Sequence, residues 1–289
     1  MLRICFILNP ASGTSRRHDL PALLAQYLDP ARVQYEIRPT EYAGHAVTLA
    51  RAAAEEGCRI VVAVGGDGTV NEVGRGLLGT GAALGILPRG SGNGLARHLG
   101  VPLGVGAAIK RLNAPRFQHM DVGSINGHAF FCTAGLGFDA HVSKCFALAG
   151  TRGLATYVRV ALHEYRHYQP VAVRVQLADK MLDTSCYVLA FANAAQYGNN
   201  AYIAPHANIQ DGLLDLCLID ALPLWRAVRV GLGLALGDLP TSGAATYHTA
   251  RQVSVHAENP LGFHVDGDYI GEATHFEVAL TPLALEVAV

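Results

Sequence analysis

Residues 60–73, I-V-V-A-V-G-G-D-G-T-V-N-E-V, hold the densest set of groups in this chain that could do chemistry. A β-branched run stops at Gly65 and Gly66. Asp67, Gly68 and Thr69 follow, and then the pair Asn71-Glu72. Glycines lack a Cβ, so such a turn lets the main chain come close to a phosphate. The N–H groups of a loop and a helix start can hold an anion there. An acid beside a polyphosphate makes sense if Asp67 holds a magnesium ion or takes a proton from an attacking hydroxyl. A turn that uses glycine for tightness alone would not need the acid, the threonine and the Asn-Glu pair as well. The loop is not a Walker loop, because no G-K-[ST] follows. Its G-G-x-G spacing also differs from the dinucleotide fingerprint.

A second loop repeats the arrangement. The apolar run Gly81–Leu87 meets Pro88-Arg89-Gly90-Ser91-Gly92-Asn93-Gly94, and a helix over Leu95–Leu99 is predicted next. Gly90 and Gly92 give the close approach, Ser91 offers a hydroxyl, and Asn93 sits near a helix cap. The strand Arg3–Leu8 ends in Asn9-Pro10-Ala11-Ser12-Gly13, and the strand Val33–Arg38 ends at Pro39-Thr40. Strand ends of an open α/β sheet face the ligand crevice, so Asn9, Ser12, Gly13 and Thr40 join the candidates. Arg16, Arg17 and His18 could lie near phosphates or form a solvated face.

The elements that must position these loops alternate. Helices are predicted over Leu20–Leu28, Gly44–Gly57 and Val70–Leu78, between the strands named above. The pattern persists to about residue 112 and implies a parallel sheet covered on both faces. Near Ala114-Pro115 the style changes to short strands. Phe117–Asp121 and Val122–Ile125 lead to Asn126-Gly127, a strong hairpin signal, and then to Ala129–Thr133. Gly135–Ala140 reads as another glycine turn carrying an acid, Asp139. Further strands are expected at Val171–Leu177, Tyr187–Ala192, Leu214–Ile219, Gln252–His256, Gly262–Val265, His275–Leu280 and Ala284–Val287, which fits an antiparallel all-β second domain. Asp121, Asp139 and Asp215 suit turn capping as well as ligand binding. Thr151–Tyr168 reads as an amphipathic helix with Leu154, Tyr157, Val158, Ala161, Leu162 and Tyr165 on one side and Arg152, Arg159, His163, Arg166 and His167 on the rest. It suits either ordinary packing or a lip resting on lipid.

Composition removes several function classes. Of 289 residues, 51% are hydrophobic and 16% charged, and the net charge is −1, so there is no electrostatic case for nucleic acid. The six cysteines are scattered without C-x-x-C, and read as reduced thiols of a cytosolic protein. The thirteen histidines show no H-E-x-x-H spacing and read as ordinary core or surface residues. No secretory signal is visible. The longest apolar stretch, Leu222–Leu236, is broken by Arg226 and Arg229 and is shorter than the roughly 20 residues of a span.

Taken in order, N-P-A-S-G, G-G-D-G-T-V-N-E-V, L-P-R-G-S-G-N-G-L-A-R, Asp121-Val122-Gly123, G-L-G-F-D-A, Asp211-Gly212-Leu213-Leu214-Asp215 and Asp266-Gly267-Asp268 resemble the diacylglycerol kinase catalytic domain family. That family includes bacterial lipid kinases, sphingosine kinases and ceramide kinases. The G-S-G-N-G-L-A loop is closer to the sphingosine/ceramide branch than to the G-T-x-N-D form of many bacterial diacylglycerol kinases. The resemblance implies an α/β domain like those of NAD kinases and phosphofructokinases, taken as residues 1–116, and an antiparallel β-sandwich, taken as 117–289. It implies ATP and magnesium in the cleft between them, and transfer of the γ-phosphoryl group to a lipid hydroxyl.

Nucleotide contacts then fall on Asn9, Pro10, Ser12, Gly13, Thr40, Gly66, Asp67, Gly68, Thr69, Asn71, Glu72 and Ser91, flanked by Gly65, Gly90, Gly92 and Asn93. The general base falls in the late acid turn, Asp266 to Asp268, where Asp268 replaces the family's glutamate, and Asp67 is its rival. Asp211, with the main chain of Asn208 and Leu213, matches a structural magnesium site, and Asp67 and Asp121 complete the metal candidates. Arg89 and Arg152 could add charge near the γ-phosphate. The implied setting is cytoplasmic, peripheral to the inner face of the membrane, with a lipid acceptor there, no nucleic-acid partner, and a homodimer left open. Diacylglycerol, a sphingoid base, ceramide, an undecaprenyl-type alcohol and phosphatidylglycerol all stay open as acceptors. Two other readings compete. An NAD kinase shares G-G-D-G-T but not the ordered later motifs. A non-catalytic nucleotide or lipid sensor would not need intact acids at 67, 266 and 268.

Overall fold

The computed structural model describes residues 1–12, 19–150, 153–178, 180–220, 230, 233–234, 236–237, 239 and 243–289. Gly13, Arg16, Arg17, His18, Arg152 and most of the apolar stretch 222–236 lie outside the described residues. Among the described residues, no helix is long and apolar enough to cross a membrane.

The chain forms two compact units, Met1–Met120 with Leu283–Val289, and Asp121–Pro282. The first contains β1 (Leu2–Leu8), α1 (Leu20–Tyr27), β2 (Val33–Pro39), α2 (His45–Glu55), β3 (Ile60–Gly65), α3 (Asp67–Leu77), β4 (Ala83–Pro88), α4 (Gly94–His98) and α5 (Val105–Arg111). Its strands are parallel in the order β2-β1-β3-β4. β3 and β4 are buried at every position, as the continuous apolar runs of a sheet covered on both faces require. β2 lies at the edge and keeps wetter positions.

α3 begins at Asp67, three residues before the expected Val70, so the acid belongs to the first helical turn and not to a long loop. The expected boundary after residue 116 also shifts. The chain end returns to this unit: Val287 pairs with Leu84 in parallel, and Arg116 and Val289 exchange main-chain hydrogen bonds of 2.7 and 2.8 Å.

The second unit is antiparallel. It includes the end of β5 (Phe117–Ile125), then β6 (His128–Phe130), β7 (Thr133–Gly137), α6 (Phe138–Leu148), α7 (Leu154–Glu164), β8 (Val171–Gln176), β9 (Met181–Cys186), β10 (Val188–Ala192), β11 (Leu214–Ile219), β12 (Ala245–Ala250), β13 (Gln252–Val265) and most of β14 (Asp268–Ala288). The order β12-β11-β10-β7-β13-β14 carries β9-β8 on the first half of β13 and β5-β6 on β14. β13 pairs with β8 over 254–257 and with β7 over 263–265, and its register against β14 shifts between His256 and Leu261 and again between Phe263 and His264. Pro260 sits in the first gap, where a missing N–H breaks no ladder bond. A strand that switches neighbours through a bulge is how sandwiches turn corners. Phe130, Phe191 and Phe276 are completely buried in the main core of this unit.

Several expectations change here. The two strands expected over 117–125 are one, as are the pairs expected within β13 and within β14. The Asn126-Gly127 hairpin forms, with φ of 46° and 80°, between β5 and β6. Gly135–Ala140 is no turn: it is the end of a buried strand running into α6, a helix the apolar pattern did not announce. The amphipathic helix is shorter than 151–168, and β9 and β12 are additional. All six cysteines are free thiols. Burial pushes Cys5, Cys186 and Cys217 up to about 12, so they stay protonated.

Candidate active site

In the first unit the candidate loops follow parallel strands, so they gather along one edge of the sheet. The two glycine loops touch main chain to main chain. A Cβ on Gly90 would lie 2.6 Å from the Gly66 Cα, and one on Gly66 would lie 3.2 Å from the Gly90 Cα. The Arg89 N–H donates to the Gly65 carbonyl at 2.8 Å. Both Asp67 carboxylate oxygens accept from the start of α4: Asn93 N at 2.9 Å and Gly94 N at 2.7 Å. Asn93, held at φ 52°, closes its loop by accepting from Gly90 N and donating to Gly90 O. α3 starts at Asp67 behind Gly66, whose lack of a side chain leaves the helix start without a side-chain cap from that residue.

The first loop joins the same edge. Asn9 Nδ2 donates to Thr69 Oγ1 at 3.1 Å, Asn9 Oδ1 accepts from Ala11 N, and Ser12 Oγ donates to Asn9 O. Thr40 N donates to Leu8 O, which brings the end of β2 alongside. Thr69 and Asn71 are buried, whereas Pro10 and Ser91 are exposed at the rim. Glu72 is engaged by the start of α2. Its two oxygens accept from Gly44 N and Ala46 N, and so cap α2, whose own N-cap residue is a glycine. The carboxylate of Glu72 therefore fixes the frame around the loops.

The second unit holds the late acids. Asp266 and Gly267, at φ 48° and 86°, form the tight turn between β13 and β14. The Asp266 carboxylate accepts from Phe131 N, Cys132 N and Thr133 N, with a shortest distance of 2.8 Å, and so binds this turn to the approach to β7. Asp268, by contrast, is exposed at the start of β14. Asp121 is completely buried. Its Oδ2 accepts from Gly212 N at 2.8 Å, and its main chain bonds Ile209 and Asn193. The 208–213 loop is folded by its own side chains, since Asn208 Oδ1 accepts from Gln210 N and Asp211 Oδ1 from Leu213 N. These acceptors are all oxygens, which suits a hard cation such as magnesium. Asp215 lies in β11, where burial, and secondarily Asp211, raises its carboxyl above the ordinary value.

Sequence reasoning treated the histidines as ordinary and so missed a buried chain of polar groups. His264, 1% exposed, places Nε2 3.0 Å from Asp139 Oδ2, and the Tyr197 hydroxyl donates to the same oxygen at 3.0 Å. The Gly267 N–H donates to His264 Nδ1 at 3.3 Å, so Nε2 carries the proton given to Asp139. Burial, with Asp139 adding, raises the Tyr197 hydroxyl well above its ordinary range. A Cβ on Gly135 would lie 2.1 Å from Asp139 Oδ2, so only glycine leaves room for the pair. The available signal was His264 two residues before the acid turn, although it lies on the strand phase opposite Leu261, Phe263 and Val265.

Known proteins agree with this architecture. Residues 3–125 match the model of the diacylglycerol kinase catalytic domain, and residues 132–289 match that of the YegS C-terminal NAD kinase beta sandwich-like domain. A Chromohalobacter salexigens protein named "probable lipid kinase YegS-like" is 33% identical over 87% of this chain and 83% of its own. A Bacillus subtilis diacylglycerol kinase is 28% identical over 94% of this chain and 91% of its own. The crystal structure of a diacylglycerol kinase from Bacillus anthracis shares the fold, with a TM-score of 0.73 at 19% identity, covering 99% of this chain and 96% of that one. The chain belongs to the diacylglycerol kinase catalytic domain family of lipid kinases.

Proposed function

We propose that this chain transfers the γ-phosphoryl group of ATP to a lipid hydroxyl. The observation that carries this reading is the main-chain contact of Gly66 and Gly90, which joins two helix-starting loops at the ends of neighbouring strands. In-line phosphoryl transfer needs positioned oxygens and charge neutralisation more than covalent help. Amide groups of Gly65, Gly66, Gly68 and Gly92, with the side chains of Asn9, Ser12, Thr40, Thr69, Asn71 and Ser91, hold the phosphates and ribose, while the Gly90 amide, donated to Asn93, keeps its loop closed. Pro10 shapes the first turn, while Asn93 and Glu72 keep the loops in shape. Gly13, outside the described residues, completes that turn in the family pattern.

Magnesium, when bound, neutralises charge on the phosphates, and Asp67 is its ligand in this unit. Asp121 organises a second, structural magnesium position made by Asn208, Asp211 and Leu213. Asp268 takes the proton of the acceptor hydroxyl. Its exposure supports this role over Asp266, whose carboxylate is held by three main-chain amides. Asp67 is less suited to proton transfer for the same kind of reason.

The acceptor is met at a membrane surface, and α7 is the contact. Tyr157, Val158 and Leu162 are exposed on α7, beside Arg159 and Arg166, and Leu148 at the end of α6 is 80% exposed. An ordinary packing helix would bury that side. The protein acts as a peripheral enzyme of phospholipid metabolism on the cytoplasmic side.

The test is a labelled-ATP assay with and without magnesium, against diacylglycerol, sphingoid bases, ceramide, a polyprenyl alcohol and NAD. Label in a lipid phosphate is the expected result. Label on NAD alone, or on none of the lipids, rejects the proposal.

A further inference from the structure

α6 and α7 pack against each other in the second unit, and one end of their contact gathers three different ligand types. His141 and Cys145 stand four residues apart on α6, hence on one face of it. Glu164 is the last residue of α7. His141 Nε2 lies 2.7 Å from Glu164 Oε2 and 3.6 Å from Cys145 Sγ, and all three donor atoms fall within 4.8 Å of one another. His163 Nδ1 sits 2.8 Å from the other oxygen of Glu164 and fixes that carboxylate from behind. The His141 ring rests against Tyr168, with centroids 5.1 Å apart. The side chains of His141 and Glu164 are 33% and 21% exposed, so an ion could reach them from solvent.

We propose that His141, Cys145 and Glu164 form a binding site for a borderline-soft divalent cation of the zinc type, which pins α7 to α6. Tetrahedral zinc with nitrogen, sulfur and oxygen ligands at 2.0–2.3 Å sets its donors roughly 3.3–3.8 Å apart. The sulfur–nitrogen separation already matches. The nitrogen–oxygen separation is held shorter by a hydrogen bond, which the ion replaces as the two side chains part by roughly half an ångström, and the sulfur–oxygen pair lies within 4.8 Å. Three protein donors leave the fourth position to water.

A thiol in the set excludes magnesium, which requires oxygen ligands, so this site is separate from the cation of phosphoryl transfer.

The experiment uses the full chain, freed of metal and kept reduced, titrated with cobalt as a spectroscopic substitute and then with zinc. One equivalent of cobalt should give tetrahedral ligand-field bands and a thiolate-to-cobalt band, both displaced by zinc. Cys145→Ser should abolish the thiolate band. Glu164→Gln should weaken binding by more than about tenfold, the loss that outer-shell changes alone can cause. Circular dichroism identifies any variant that misfolds, and the two substitutions serve as independent tests. A thiolate band that survives Cys145→Ser places the cation on another cysteine and overturns the site. So does cobalt binding by the wild type that is no tighter than in both folded variants.

Discussion

The two candidate centres of this protein are built from different materials. In the first unit the candidate centre is main chain: glycines, helix starts and the contact of Gly66 with Gly90. In the second unit the candidate centre is side chain: Asp266 fastened to residues 131–133, and Asp139 joined to His264 and Tyr197 in the interior. A main-chain site demands a particular residue type where the chains touch, because a Cβ at Gly65 or Gly90 would lie within 2.6 Å of a neighbour. A side-chain site demands partners that lie more than a hundred positions away in sequence, as Asp266 and Cys132 do. The first kind tolerates little local change. The second depends on whether remote groups arrive together.

The largest effect separates an exposed acid from a fastened one. Asp268→Asn should lower the turnover of lipid by about 10²- to 10⁴-fold. Its fold should be kept, since asparagine is nearly the same size and Asp268 is exposed. Steady-state rates together with a thermal melt decide this, and full activity would move the base role to another carboxylate.

Asp266→Ala should act the opposite way. Stranding three amides of residues 131–133 should cost about 2–4 kcal/mol of stability. Asp266→Asn should cost less, since asparagine keeps one acceptor oxygen and tolerates the left-handed backbone. Equal melting curves for the two would mean that the carboxylate is not the fastener.

Gly90→Ala probes the main-chain site. Its methyl group would meet the Gly66 Cα at 2.6 Å, so the loops must part. The expected cost is about 1–3 kcal/mol, together with a raised KM for ATP. An unchanged KM would show that the loop contact does not shape nucleotide binding.

A smaller change is expected at the exposed apolar side chains of α7. Leu162, 55% exposed, replaced by Asp should reduce vesicle binding roughly fivefold while leaving turnover of a short-chain, micellar lipid unchanged. The smallest effect concerns pH. Hydrogen bonds from His141 and His163 hold Glu164 below its ordinary value. The tie between α7 and α6 is therefore intact above the ordinary glutamate range and is lost as pH falls through the lowered value. Hydrogen exchange along α7 should rise only in that acidic window.

What the sequence determined by itself was the strand–loop–helix order of the first unit, the hairpin at Asn126-Gly127 and the family. Each rests on local rules: glycine where a Cβ cannot fit, an Asn-Gly pair where two positive φ angles are required, and apolar runs where a sheet is covered on both sides. Tertiary structure decided the rest. It extended α3 back to Asp67, because the carboxylate finds its partners at Asn93 and Gly94. It gave Glu72 a role the local pattern did not name, the cap of a neighbouring helix. It revealed α6 and brought Asp139 to His264, because the polar partners of a buried side chain come from distant segments that no local pattern names.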